Sequence, residues 1–212
     1  MLRAEKICYR YDKDIPLLEG VICTINSGEI VGLPGPSGCG KSTLARLMAG
    51  FDHPQSGIIF CNDQALPASG FSPVQMIFQH PELAVNPRWK IGKILAEGNT
   101  DCSELLQRFG IGLNQLERYP HELSGGELQR ITLIRAMTPA TRYLIADEMT
   151  ASLDPATQAL IWQTVLSWAK SRQVGVLAIS HDASLLNCIC DRIDNGFCLQ
   201  SPSSHLREPI AA

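Results

Sequence analysis

The chain has 212 residues, enough for one sizeable core or a core with a small subdomain. Its net charge of -3 argues against nucleic acid as the main partner, since binding a phosphate backbone draws on a basic excess. No apolar run reaches the roughly 20 residues that span a bilayer, and Met1 to Tyr11 lacks the apolar stretch of a secretory signal, so a cytoplasmic protein is expected.

Residues 3 to 33 read as short strands. Ile22 to Ile25 leads to the turn Asn26-Ser27-Gly28, and Glu29 to Leu33 forms a β-rich run into a glycine loop. A helix begins near Lys41 and runs to Gly50, with Leu44, Leu47 and Met48 on one face. Ser56 to Phe60 and Val74 to Phe78 read as further strands, followed by a loop bearing Pro81 and Pro87. Residues 90 to 138 have a mostly helical pattern, with Asp101 and Glu104 expected as a capping box before Leu105, Leu106 and Phe109. Beyond Pro139 the segments 143–146 and 174–180 are continuous apolar runs of buried-strand length, as in a parallel sheet. Between them Asp154 can cap a helix with Pro155 at its first position, placing Ile161, Val165 and Trp168 on one face. The expected organisation is one domain over 1–212. Its α/β core spans about 1–79 and 141–200, its helical insert about 80–140, and a tail over 201–212 is expected to be poorly ordered.

Eight cysteines are irregularly spaced, which fits neither a zinc nor an iron–sulfur site and suits reduced side chains acting as small hydrophobes. Apolar residues reach 45% and charged residues only 18%, which suits either a surface covered by partners or a large core.

Four short motifs carry the chemistry. Gly35-Pro36-Ser37-Gly38-Cys39-Gly40-Lys41-Ser42-Thr43 matches a phosphate-cradling loop in full. Its glycines let backbone N–H groups turn onto phosphate oxygens, and the following helix offers its positive end. Lys41 is expected to reach the β- and γ-phosphates, Ser42 to bind Mg²⁺ and Thr43 to touch the α-phosphate. Pro34 and Pro36 stiffen the loop entry. Tyr143 to Glu148 is an apolar strand ending in two acids: Asp147 to hold Mg²⁺, and Glu148 as general base or water-orienting group. Leu123-Ser124-Gly125-Gly126-Glu127 is a second helix start with a serine and bare glycine amides, which a lone nucleotide site does not need. Ser180-His181-Asp182 follows the last apolar strand.

In this order, from about Tyr9 to about Arg192, the motifs resemble the ATP-binding cassette (ABC) ATPases that drive ABC transporters. The resemblance implies a P-loop NTPase (RecA-like) α/β core with a small antiparallel β subdomain and an inserted α-helical signature subdomain. It implies that Ser124 and Gly126 act in trans, closing on the γ-phosphate held by a second subunit, with Gly125 and Glu127 of the same signature counted among the nucleotide-binding residues. His181 resembles the switch histidine at that phosphate. Gln79 resembles the glutamine that reaches Mg²⁺ and the attacking water while its loop meets the membrane subunit. Tyr11 would stack on adenine, with Tyr9 the competing candidate, and Ser152-Leu153-Asp154 resembles the loop that communicates between two sites. Met149 stands where the family usually has proline, a change to the backbone path more than to the chemistry.

Asn86-Pro87-Arg88 narrows the resemblance to the nickel, dipeptide and oligopeptide importer ATPases. Asp147 to Asp154 with Gln158, Ile161 and Trp162 looks most like the nickel or metallophore members. The implied partners are a second ABC ATPase subunit (a paralogue or another copy), membrane permease subunits and, indirectly, an extracytoplasmic solute-binding protein, with this chain peripheral on the cytoplasmic face of the cell membrane. The segment Asp191 to Leu199 is shorter than the family's usual strand pair. A dipeptide or oligopeptide importer is the alternative. A soluble repair or translation ATPase fits less well, because only about 80 residues without sustained heptads separate Thr43 from Leu123. A non-catalytic regulatory cassette also fits less well, since every expected catalytic residue is present. The five histidines are scattered, so nothing suggests that this chain itself binds nickel.

Overall fold

The computed structural model describes residues 1–11, 16–67, 70–98 and 101–197. Strands β1 (Leu2–Tyr9), β2 (Leu18–Ile25) and β3 (Ile30–Leu33) lead into helix α1 (Lys41–Met48). Strands β4 (Ser56–Cys61), β5 (Gln64–Ala65) and β6 (Val74–Ile77) follow, then helices α2 (Ile91–Ala96), α3 (Ser103–Arg108) and α4 (Gly125–Ala136). The remainder alternates: β7 (Tyr143–Asp147), α5 (Pro155–Arg172), β8 (Gly175–Ile179), α6 (Ala183–Ile189) and β9 (Arg192–Ile193).

The strands form two sheets. One is antiparallel in the order β2-β1-β4-β5, and the other is parallel in the order β6-β7-β8-β3-β9. Every residue of β7 and β8 is buried, as their continuous apolar sequences require of strands covered on both faces. Alternation sorts their side chains into two cores. Tyr143, Ile145, Leu177 and Ile179 join α1 and the antiparallel sheet. Leu144, Ala146, Val176 and Ala178 join α5 and the helical region. Ile161, Val165 and Trp168 of α5 fall in that second core as expected, and Asp154 caps the helix by accepting the Ala156 and Thr157 amides at 3.1 and 3.0 Å.

The helical region differs from its sequence pattern. Among the described residues it consists of two six-residue helices, three 3₁₀ segments (Pro81–Ala84, Leu113–Glu117 and Pro120–Glu122) and α4. Glycines at 98, 110 and 112 interrupt the apolar periodicity, and Gly110 takes φ +66°, which favours glycine. The capping box expected at Asp101 and Glu104 does not form. Asp101 accepts the Ser103 amide one position early, at 3.3 Å, and Glu104 pairs with Arg108 at 2.7 Å instead. After Cys190 the described residues contain one two-residue strand, and the tail from 201 onward lies outside them.

Gly98 fixes how closely α2 approaches α4, because a Cβ there would collide with the Arg135 carbonyl oxygen. Gly98→Ala is expected to destabilise the fold by about 1–3 kcal/mol, the usual cost of overpacking. Urea denaturation should show a lower midpoint; an unchanged midpoint would mean that the two helices part without cost.

Candidate nucleotide-binding site

The phosphate loop joins β3 to α1. Gly35, Gly38 and Gly40 adopt φ +147°, +83° and +98°, conformations that L side chains rarely take. Gly40 also lacks room for a side chain, since a Cβ would lie 2.8 Å from Leu18 Cδ2. Lys41 is buried, and its ammonium donates to the Gly35 and Pro36 carbonyls at 2.8 Å each, folding across the loop. Cys39 Sγ lies 3.9 Å from the same ammonium.

Beside the loop opens a cavity of about 430 Å³ whose wall brings together Tyr11, Ser37, Gly38, Gly40, Lys41, Ser42, Thr43, Gln79 and Glu148. The volume is in the range of small-ligand sites. Tyr11 stands on this wall, largely exposed, with its hydroxyl 3.1 Å from Thr43 Oγ1. Tyr9 meets Tyr11 edge-on at 5.2 Å and does not line the cavity. Leu17 does line it, and nothing in its sequence context marked it.

Asp147 ends β7 and is buried, with Oδ1 lacking any hydrogen-bond partner among the described residues. Burial pushes its carboxyl above the usual range; a bond from Ser42 pulls the other way, the neighbouring Glu148 raises it and Lys41 lowers it. An orphaned carboxylate oxygen beside a serine hydroxyl fits a hard divalent cation that takes oxygen ligands. Glu148 follows at φ +47°, a left-handed backbone that costs a non-glycine residue about 1–3 kcal/mol. Its amide donates to the Ile179 carbonyl at 3.1 Å. Its carboxylate Oε1 lies 3.6 Å from His181 Nδ1, and the His181 ring is mostly exposed. Met149 is buried in the core on the α5 side, so the residue replacing the expected proline serves as an apolar anchor.

The signature residues form a separate cluster that does not line this cavity. Ser124 caps α4: its Oγ accepts the Glu127 amide at 3.3 Å and donates to Glu127 Oε2 at 2.9 Å, which also accepts the Ser124 amide at 2.8 Å. These bonds, the Ser124 amide first, hold the Glu127 carboxyl below its usual range. Gly125 opens the helix, and at Gly126 a Cβ would touch Leu153 at 3.4 Å, so the loop ending in Asp154 packs against the signature. Gln129, buried on α4, donates to the Phe78 carbonyl at 3.3 Å and ties that helix to the residue before Gln79.

A glycine loop between strand and helix, a buried lysine and a strand-end carboxylate pair define a P-loop nucleotide hydrolase. A family model described as ABC transporter matches residues 18–151. The nickel import system ATP-binding protein NikE of Staphylococcus aureus (strain bovine RF122 / ET3-1) is 36% identical over 210 residues, covering 91% of this chain and 85% of that one. The chain therefore belongs to the ABC transporter family; it is an ABC ATPase, an ATP-binding subunit that binds and hydrolyses ATP. The fold agrees. An ATP-binding subunit of an ABC transporter superposes with a TM-score of 0.79 at 24% identity, covering 91% of this chain and 85% of that chain. The dimeric cassette MJ0796 gives 0.78 at 22%, covering 91% and 93%. CbiO1 of Clostridium perfringens, part of the transporter complex cbiONQ, gives 0.75 at 24%, covering 91% and 82%.

Because Asp147 stays protonated to higher pH when folded than when unfolded, its contribution to stability falls as pH rises through the carboxylate range. Glu127, held low, works in the opposite sense. Asp147→Asn should therefore make the nucleotide-free protein more stable than wild type at pH 7, with the difference shrinking toward about pH 4, near the unperturbed carboxyl. Melting temperatures of both proteins across that interval check this; a constant difference would show that Asp147 does not titrate there.

Proposed function

We propose that this chain is an ATP-binding subunit of an importer for nickel or a metal–metallophore complex, working in a pair with a second ABC ATPase subunit. The observation that carries the pairing is the separation of two groups of phosphate-directed residues. Lys41, Ser42, Thr43, Gln79 and Glu148 share one cavity, whereas Ser124 and Gly126 cap a helix outside it. A second chain, a paralogue or another copy, would supply its own signature helix to this cavity and receive this one in return.

In this reading the amides of Gly35 to Gly40 cradle the phosphates, with Pro36, Ser37 and Cys39 shaping the loop. Lys41 holds the β- and γ-phosphates and Tyr11 stacks on the adenine. Ser42, Asp147 and Gln79 hold Mg²⁺, which when bound compensates the phosphate charge. Glu148 takes the proton of the attacking water, and His181 orients that water at the γ-phosphate. Ser124, Gly125 and Gly126 meet the partner's γ-phosphate, Glu127 releases the Ser124 hydroxyl for it, and Asp154 lies beside that contact. ATP closure would pull membrane permease subunits, and hydrolysis would release them. A solute-binding protein outside the membrane would deliver the cargo, and the chain itself would sit on the cytoplasmic face. Among the described residues no helix is long and apolar enough to cross a membrane, so attachment would run through the permease. The cargo rests on the name of the nickel import relative and on Asp147 to Trp162.

Glu148→Gln should keep ATP binding and slow turnover by about 10²–10⁴-fold, the usual worth of a general base. Cells lacking the gene should lose nickel content in metal-limited medium, and the Glu148→Gln gene should not restore it. Unchanged nickel with impaired dipeptide uptake would move the assignment to a peptide importer.

A further inference from the structure

Glu148 sits at the head of a short loop whose hold on the frame is specific. Two turns shape it: the Ala151 amide donates to the Glu148 carbonyl at 3.1 Å, and the Leu153 amide to the Thr150 carbonyl at 3.2 Å. Both turns are internal to the loop. Its middle is tied to α5, where Trp162 Nε1 donates to Thr150 Oγ1 at 3.2 Å, with each residue only 4% exposed. At its head the Glu148 amide is bonded to the Ile179 carbonyl, and Met149 lies in the same core as Trp162, so the Trp162–Thr150 bond is the side-chain hydrogen bond that holds the middle of the loop to α5. Packing alone does not back it, because a cleft of about 90 Å³ lies between Glu148, Thr150, Trp162, Ser180 and His181.

A loop with open space behind it and a left-handed residue at its head needs a directional restraint to hold one carboxylate position. A buried indole N–H and a buried hydroxyl supply one, since losing either removes the other's hydrogen-bond partner among the described residues. We propose that Trp162 and Thr150 are positioning residues for the catalytic carboxylate, acting through their hydrogen bond on the backbone of Glu148. This rests on the reading of Glu148 as the base and adds the group that aims it. The bond would matter to the rate and hardly to ATP binding, because neither residue lines the nucleotide cavity.

The test is ATP hydrolysis by the assembled transporter, this chain with its partner subunits, for Trp162→Phe, Thr150→Val, Thr150→Ser and Glu148→Gln. Thr150→Val keeps the shape and removes the oxygen; Thr150→Ser keeps the oxygen. Expected is a fall in kcat of about 10–100-fold for Trp162→Phe and Thr150→Val, the scale of a slight misplacement of a reacting group, with KM for ATP within about twofold. Thr150→Ser should recover most of the rate. Thr150→Val at wild-type kcat while Glu148→Gln is inactive would overturn the positioning role and leave the base in place. Equal losses for Thr150→Ser and Thr150→Val would also overturn it, by tying the effect to the methyl group. Wild-type turnover in Glu148→Gln would remove the base and this inference together. If Trp162→Phe does not assemble, the two Thr150 variants decide the question alone.

Discussion

The register of three parallel strands is the constraint on which the site depends. Leu33 of β3 and Asp147 of β7 both pair with Ile179 of β8, so the ends of the three strands lie in one row. The phosphate loop leaves from the first, the carboxylate pair from the second and Ser180-His181 from the third. A slip of one residue in β7 would turn Asp147 to the opposite face and exchange every side chain between the two cores. Register is held by those cores, because Tyr143 and Ile145 fit one and Leu144 and Ala146 fit the other.

That row also explains where the protein bears unfavourable terms. Asp147 is buried with one oxygen unpartnered, and Glu148 takes a left-handed backbone directly after it. Neither arrangement helps a ligand-free fold. Both make sense where a cation and a polyphosphate are to be met by groups already in place, since preorganised charge avoids rearrangement during the reaction. The surroundings over-determine the strained positions: Ile179 holds the Glu148 amide, and Met149 is packed in the core behind it.

The sequence disclosed what depends on local chemistry. Glycine spacing, a following lysine, a strand ending in two acids and an Asp-Pro helix start each have a short-range physical reason, and each stands where expected. The helical region was less legible. Its pieces depend on tertiary contacts such as Gly98 against Arg135, and on the local choice of Glu104 to pair with Arg108 one turn on rather than close a cap, and an apolar count over 90 to 138 contains neither. The links from Trp162 to Thr150 and from Gln129 to Phe78 were equally hidden, the second because it joins residues 51 apart. Tryptophan and glutamine in a helix carry no mark of what they will touch.

One segment connects the nucleotide cavity with the helix start at Ser124 to Gly126. Glu148 lines the nucleotide cavity, and Leu153, five positions on, packs at the signature Gly126. The intervening backbone is two tight turns, Ala151 to Glu148 and Leu153 to Thr150. The signature helix is tied from its other side as well, through Gln129 to the residue before Gln79. In the pairing proposed above, the signature helix would be in contact with its own chain's cavity along two routes, one from Glu148 and one from the segment before Gln79. In that pairing these two contacts are the places where the state of one cavity would reach the helix offered to the other.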